Sequence, residues 1–141
     1  MAIRYLTTGF WEDTKVQEEA SPEERYFMLY LLTNPHTNQL GCYEISKRTI
    51  SYETGYNNDT IEKLLKRMSK ELNFIDYDPV TNEILITNWY KYNWTTSPKV
   101  KTNLLKDVNK IKSLSLLEKI KNNIGYVYGI DTIVGNKRKE K

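Results

Sequence analysis

The chain of 141 residues has few of the side chains that enzymes and metal proteins most often use. Cys42 is its one cysteine and His36 its one histidine. An internal disulfide is therefore excluded, and a metal site with sulfur and nitrogen ligands is not expected. No glycine-rich phosphate loop occurs, and no nucleophile, base and acid form a recognisable set. These absences predict a protein that is not an enzyme and that uses no metal or cofactor.

The sequence also lacks a long apolar run. No stretch of about 18 apolar residues, the length that suits a membrane-spanning helix, occurs in it. The N-terminal residues contain no apolar segment of the secretory type. We therefore expect a cytoplasmic protein with no membrane partner. The apolar fraction of 39% is sufficient for a folded core.

The charge is small in sum but uneven along the chain. The net charge is +3, while residues 99–141 hold eleven basic and four acidic side chains. Residues 1–44 have an acidic excess, and residues 45–98 are balanced. A basic C-terminal third suits a polyanionic partner or an acidic protein surface. The alternative is a solvated, lysine-rich helix.

Local signals predict helices separated by short strands. Ser21-Pro22-Glu23-Glu24 is a strong helix start, because serine and glutamate can form a capping box and proline suits the first helical position. This helix should end before Pro35. A short strand over Leu40–Ile45 leads to a second helix, which Ser46 caps and Gly55 ends.

A third helix and a β-hairpin follow. We expect Asn58 or Asp59 to cap the helix, and its apolar side chains repeat at helical spacing. Those predicted core residues are Ile61, Leu64, Leu65, Met68 and Leu72. Two short strands, Phe74–Tyr77 and Ile84–Thr87, are joined by a polar turn and should pair.

This order predicts a mostly α fold with a small β-hairpin. It is the plan of a winged helix-turn-helix, here followed by a C-terminal helical extension. The expected units are a winged-helix DNA-binding domain at 1–98, a helical extension at 99–134 and a disordered basic tail at 135–141.

The third helix carries basic side chains on the face opposite its apolar stripe, since they follow i, i+3, i+4 and i+7 spacing. In a winged helix that face contacts phosphates, and the start of the helix lies nearest the base edges. The predicted DNA-binding residues, including two at the start of the second helix, are Lys47, Arg48, Asn57, Asn58, Thr60, Lys63, Lys66, Arg67 and Lys70. The alternative is a solvated helix face.

Two further features bear on DNA binding. Asp76, Asp78 and Glu83 make the hairpin acidic, so we do not expect it to grip phosphates strongly. It is either a protein contact or an ordinary solvated hairpin. The aromatic cluster from Trp89 to Trp94 either stacks on single-stranded bases or, as we favour, covers the core or an interface.

The C-terminal segment predicts one amphipathic helix from Val100 to Ile124. Its apolar stripe either packs on its own domain or, as we favour, contacts a second copy in a homo-oligomer. The predicted oligomerisation residues are Val100, Leu104, Val108, Ile111, Leu114 and Leu117.

Several motifs together resemble the N-terminal region of DnaD-like replication initiation proteins from low-GC Gram-positive bacteria and their phages. They are Phe10-Trp11-Glu12-Asp13, Ser21-Pro22-Glu23-Glu24-Arg25-Tyr26-Phe27, Leu31-Leu32-Thr33-Asn34-Pro35-His36-Thr37-Asn38, Gly41-Cys42-Tyr43-Glu44-Ile45-Ser46-Lys47, Glu53-Thr54-Gly55-Tyr56, Asn88-Trp89, Tyr92-Asn93, Ser97-Pro98-Lys99-Val100 and Tyr128-Gly129-Ile130-Asp131-Thr132. The resemblance implies a winged-helix domain that binds DNA, self-associates and helps to recruit or load the replicative helicase. The family often has a second, C-terminal helical domain, and this sequence ends soon after Ile133.

The sequence therefore predicts a non-enzymatic replication initiation protein that binds double-stranded DNA, forms a homo-oligomer, and has a helicase or helicase loader as partner. Two other functions stay open. One is a transcription regulator on the same scaffold. The other is a protein scaffold of the replisome with weak DNA contact.

Overall fold

The computed structural model describes residues 2–93 and 100–122 of the chain. A short 3-10 helix, Thr8–Glu12, and a π-helical turn, Lys15–Glu19, precede the main elements. These are α1 Pro22–Thr33, β1 Cys42–Glu44, α2 Lys47–Thr54, α3 Asn58–Lys66, β2 Ile75–Asp78, β3 Glu83–Ile86, α4 Trp89–Tyr92, α5 Val100–Lys110 and α6 Leu114–Ile120. The prediction of a mostly α chain with a small β component is confirmed.

The predicted helix starts are present in α1 and α2. Ser21 accepts a hydrogen bond from the Glu24 amide, and the Glu24 carboxylate accepts one from the Ser21 amide, which together form the capping box. Ser46 caps α2 by accepting from the Thr49 amide. The residue after α2, Gly55, has a φ of 86°, a left-handed conformation that glycine adopts without strain.

The cap of α3 differs from the predicted one. Asn57, rather than Asn58 or Asp59, accepts the hydrogen bond from the Thr60 amide at 2.8 Å. The turn between α2 and α3 is thus shorter than expected. After Lys66 the helix continues as a π-helical turn over Arg67–Glu71, so the side chains there are rotated relative to regular α-helical spacing.

The three strands form one antiparallel sheet in the order β1-β3-β2. Ile75 pairs with Ile86, and Cys42 pairs with Leu85. Every residue of the central strand β3 is buried, because both faces of the sheet are covered. Tyr43, Ile84 and their neighbours pack on the core formed by α1 to α3. Leu85 and Cys42 face α5 and α6 instead.

The C-terminal segment is two helices rather than the single predicted helix. The chain leaves helical geometry at residues 111–113, and Ser113 caps α6 by accepting from the Leu116 amide. Serine at this position competes for the helical hydrogen bonds, which explains the break.

The apolar stripe of this segment packs on its own sheet. The predicted oligomerisation residues Leu104, Val108, Ile111 and Leu117 are buried there, with Leu116 and Ile120, in a second core against Leu40, Cys42 and Leu85. This corrects the expectation that these four residues contact a second copy, since one chain already covers them. Leu114 is 45% exposed, and the Val100 side chain lies outside the described side chains. The oligomeric state itself stays a prediction.

Two aromatic residues after the hairpin belong to the core. Trp89 and Tyr92 are buried, in agreement with the favoured alternative to base stacking. Gly41, at φ +75°, lies against Trp89 so closely that an added Cβ would meet the indole Cγ at 2.3 Å. Trp94 and the expected tail at 135–141 lie outside the described residues. Within residues 2–93 and 100–122, no helix is long and apolar enough to cross a membrane.

Candidate nucleic-acid interface

Helix α3 and its π-helical continuation separate apolar from basic side chains. Ile61, Leu64, Leu65 and Met68 are buried in the main core. On the outside, Lys63, Lys66 and Lys70 are exposed. The helical repeat of the apolar residues places one side against the core and leaves the lysines in solvent. Three of the four basic residues predicted for this face therefore lie on it.

The exposed lysines hold uncompensated charge. Lys63, Lys66 and Lys70, together with Arg48 on α2, form no ion pair with any residue in the described part of the chain. Lys47 differs, because its ammonium lies 3.1 Å from the Glu62 carboxylate. That hydrogen bond raises the pKa of Lys47 above its usual value.

Arg67 has a structural role that the sequence reasoning missed. Its guanidinium donates to the Glu24 and Glu71 carboxylates, each at 2.7 Å, and to the Glu19 carbonyl at 2.8 Å. The hydrogen bond to Glu71, followed by that to Glu24, raises the pKa of Arg67. The group thus joins the end of α3 to α1, and each of its three nitrogens donates a hydrogen bond within the fold. This corrects the assignment of Arg67 as a DNA contact.

The polar residues at the start of α3 divide between structure and surface. The Asn57 side-chain oxygen is occupied as the helix cap. Asn58 is exposed and Thr60 is half-buried. The exposed side also carries Asp59 and Glu62, which the sequence reasoning left out of the predicted face. Their carboxylates reduce the positive charge near the lysines.

An open groove of about 500 Å³ runs beside α3. It is bounded by the start of α2, the outer side of α3, the hairpin and α6. Its charged lining residues are Lys47, Glu62, Lys66, Lys70, Asp76 and Lys119. Lys47 pairs with Glu62, and Lys119 pairs with Asp76 at 2.5 Å, so Lys66 and Lys70 provide the surplus positive charge. Sequence spacing gave no signal that Lys119 would line this groove.

The hairpin is less acidic towards solvent than its sequence indicates. Glu83 is 2% exposed, and its carboxylate accepts hydrogen bonds from the backbone amides of Lys112 and Ser113. Asp76 is neutralised by Lys119. The expectation that all three acids make the hairpin acidic is therefore corrected for two of them, because Glu83 is buried and Asp76 is paired with Lys119.

Comparisons of this chain with protein-family models, with curated proteins and with solved structures give no match.

Proposed function

We propose that this chain is a non-enzymatic winged-helix protein that binds double-stranded DNA through α3 during the assembly of a replication complex. The unpaired, exposed charges of Lys63, Lys66 and Lys70 carry the proposal. All three lie opposite the buried side of one helix, and Lys66 and Lys70 line an open groove. The order of α1, β1, α2, α3 and the β2–β3 hairpin is the order of elements in a winged helix.

In this proposal the lysine ammonium groups contact phosphates and release condensed counterions from the duplex. Arg48, which is exposed on α2, adds a backbone contact. Asn58, at the start of α3, is the polar side chain nearest the base edges. Most of the binding energy then comes from phosphates, so sequence preference is modest.

The role in replication rests on the resemblance to DnaD-like proteins, and so do the proposed helicase or helicase-loader partner and the homo-oligomer. The second candidate function is a protein scaffold of the replisome with weak DNA contact. Asp59 and Glu62 favour it, because two exposed carboxylates beside the lysines oppose binding of a polyanion.

The test is duplex binding over a salt series with two matched triple variants. The first replaces Lys63, Lys66 and Lys70 with Gln. The control replaces three lysines outside the groove with Gln, namely Lys106, Lys110 and Lys121. Both remove three positive charges, so they separate a local contact from a general charge effect.

We expect the α3 variant to bind a random duplex at least about 10-fold more weakly at ~50 mM salt, with a slope of log K against log salt smaller by about 3. The control should keep most of the slope, and thermal melts should show both variants folded. Equal losses in the two variants would remove α3 as the binding surface. Weak, salt-insensitive binding by the unmodified chain would favour the scaffold.

A further inference from the structure

Three of the four carboxylates of the sheet receive ion pairs or hydrogen bonds from one short segment of the chain, Lys112–Lys119. The strands carry four acidic residues, Glu44, Asp76, Asp78 and Glu83. Two of them are salt-bridged: Lys112 lies 2.6 Å from Glu44, and Lys119 lies 2.5 Å from Asp76. Lys112 lies just before α6, and Lys119 lies in its last turn.

Glu83 is held by uncharged donors. Glu83 accepts hydrogen bonds from the Ser113 amide at 2.8 Å and from the Lys112 amide at 3.0 Å. The side chain of Ser113 is also the main cause of the lowered pKa of Asp78. One segment thus contacts most of the acidic side chains of a sheet from which it is distant in sequence.

Asp76 is the acid for which this compensation matters most to a polyanion. Its carboxylate lines the groove beside α3, together with the unpaired Lys66 and Lys70. An uncompensated charge there would repel a phosphate in the same groove, because repulsion between like charges near a surface is weakly screened at low salt. The ammonium of Lys119 is in contact with that carboxylate.

We infer that α6 neutralises acidic side chains of the hairpin and thereby favours DNA binding in the groove beside α3. Lys119 is a positioning residue here, because its ion pair with Asp76 offsets a negative charge that would repel a DNA backbone. This inference rests on the proposed function. Lys119 acts here through Asp76 and not by touching a phosphate. The docking of α6, which Glu83 and the second core hold in place, therefore strengthens DNA binding in this inference.

The experiment measures binding of a random duplex over a salt series for the full chain and five variants. Lys119→Gln uncovers Asp76, and Lys106→Gln is a matched control on α5 that lines no part of the groove. The double variant Lys119→Gln with Asp76→Asn removes both partners of the ion pair. Asp76→Asn alone completes the double-mutant cycle. Lys119→Gln with Glu12→Gln restores the net charge at an exposed position on the N-terminal 3-10 helix instead.

We expect Lys119→Gln to weaken binding about fivefold at low salt, the effect of one unscreened charge about 4 Å away in water. The slope of log K against log salt should not change, because no phosphate contact is lost. Adding Asp76→Asn should restore the affinity, whereas adding Glu12→Gln should not. Lys106→Gln should bind like the unmodified chain.

Three results would overturn the inference while the proposed function stands: unchanged binding by Lys119→Gln, a slope smaller by about 1 in that variant, or equal rescue by Asp76→Asn and Glu12→Gln. The smaller slope would mean that Lys119 contacts a phosphate directly. Equal rescue would mean that the loss of affinity reflects only the net charge of the chain. If the unmodified chain shows no salt-dependent duplex binding, the proposed function fails and the inference fails with it.

Discussion

Replacing Glu83 with Ala should detach α6 from the sheet and destabilise the fold. Glu83 is 2% exposed, and its carboxylate is the acceptor for two backbone amides just before α6. Ala leaves both amides without this acceptor. It also leaves α6 attached to the hairpin mainly through its apolar contacts and the exposed pair of Lys119 and Asp76.

The expected loss is about 2–4 kcal/mol in the free energy of unfolding. A buried amide that loses its acceptor costs about 1–3 kcal/mol, and the Ser113 amide is in this position. Water can replace part of the bond to the Lys112 amide, since Lys112 is exposed. The lost methylene adds about 1 kcal/mol. Against a total stability of about 5–15 kcal/mol, the change is easily measured.

Urea unfolding followed by circular dichroism gives the change in the free energy of unfolding, and native-state hydrogen exchange shows where the structure opens. We expect the amides of α5 and α6 to exchange faster in Glu83→Ala, while those of α1 keep their protection. Glu83→Gln is the matched control. Its side-chain oxygen can still accept from Ser113, so it should lose less than half as much stability. A free energy of unfolding for Glu83→Ala within about 0.5 kcal/mol of that of the unmodified chain would refute this role of Glu83 as the acceptor for the two amides.

Two further predictions concern other buried or paired groups. Burial raises the pKa of Asp13, but hydrogen bonds from Tyr92 and Lys91 outweigh it and lower the pKa to about 2. The resulting stability, about 2 kcal/mol, is complete above pH ~4 and is lost as the pH falls towards 2; urea unfolding from pH 5 to 2 should show this fall, and Asp13→Asn should not. Arg67→Gln should lower the urea midpoint and leave the salt slope of DNA binding unchanged, because the guanidinium joins α3 to Glu24. The opposite result, an unchanged midpoint with a smaller slope, would make Arg67 a phosphate contact after all.

The elements themselves were predictable because their signals are local. Capping serines, Gly55 and the apolar repeat of α3 act within a few residues of where they stand, so they are readable without the fold. The ends of the elements were predicted less accurately. The α3 cap, for example, lies one residue before the nearer predicted position. The two hairpin strands are each shifted by one residue, because hairpin register depends on pairing across the turn.

Part of the candidate site was likewise predictable from local spacing, and part of it depended on tertiary packing. The exposure of Lys63, Lys66 and Lys70 follows from helical periodicity alone. Arg67 satisfied the same periodicity, but its partner Glu24 is 43 residues away in the sequence. Glu71, four residues after Arg67, was the one local sign of an ion pair. Lys119 entered the groove through the packing of α6, for which no short-range signal exists.

By itself, the sequence determined α1 to α3, the existence of the hairpin and the side of α3 that must be buried, since these depend on local hydrogen bonding and on the spacing of apolar residues. Only the tertiary structure decided what each buried surface packs against. An apolar stripe specifies that Leu104 and Val108 leave water, but it does not specify whether a second copy or the chain's own sheet covers them. The same holds for charge, because the sheet's acids are compensated by a segment that only the folded chain brings beside them.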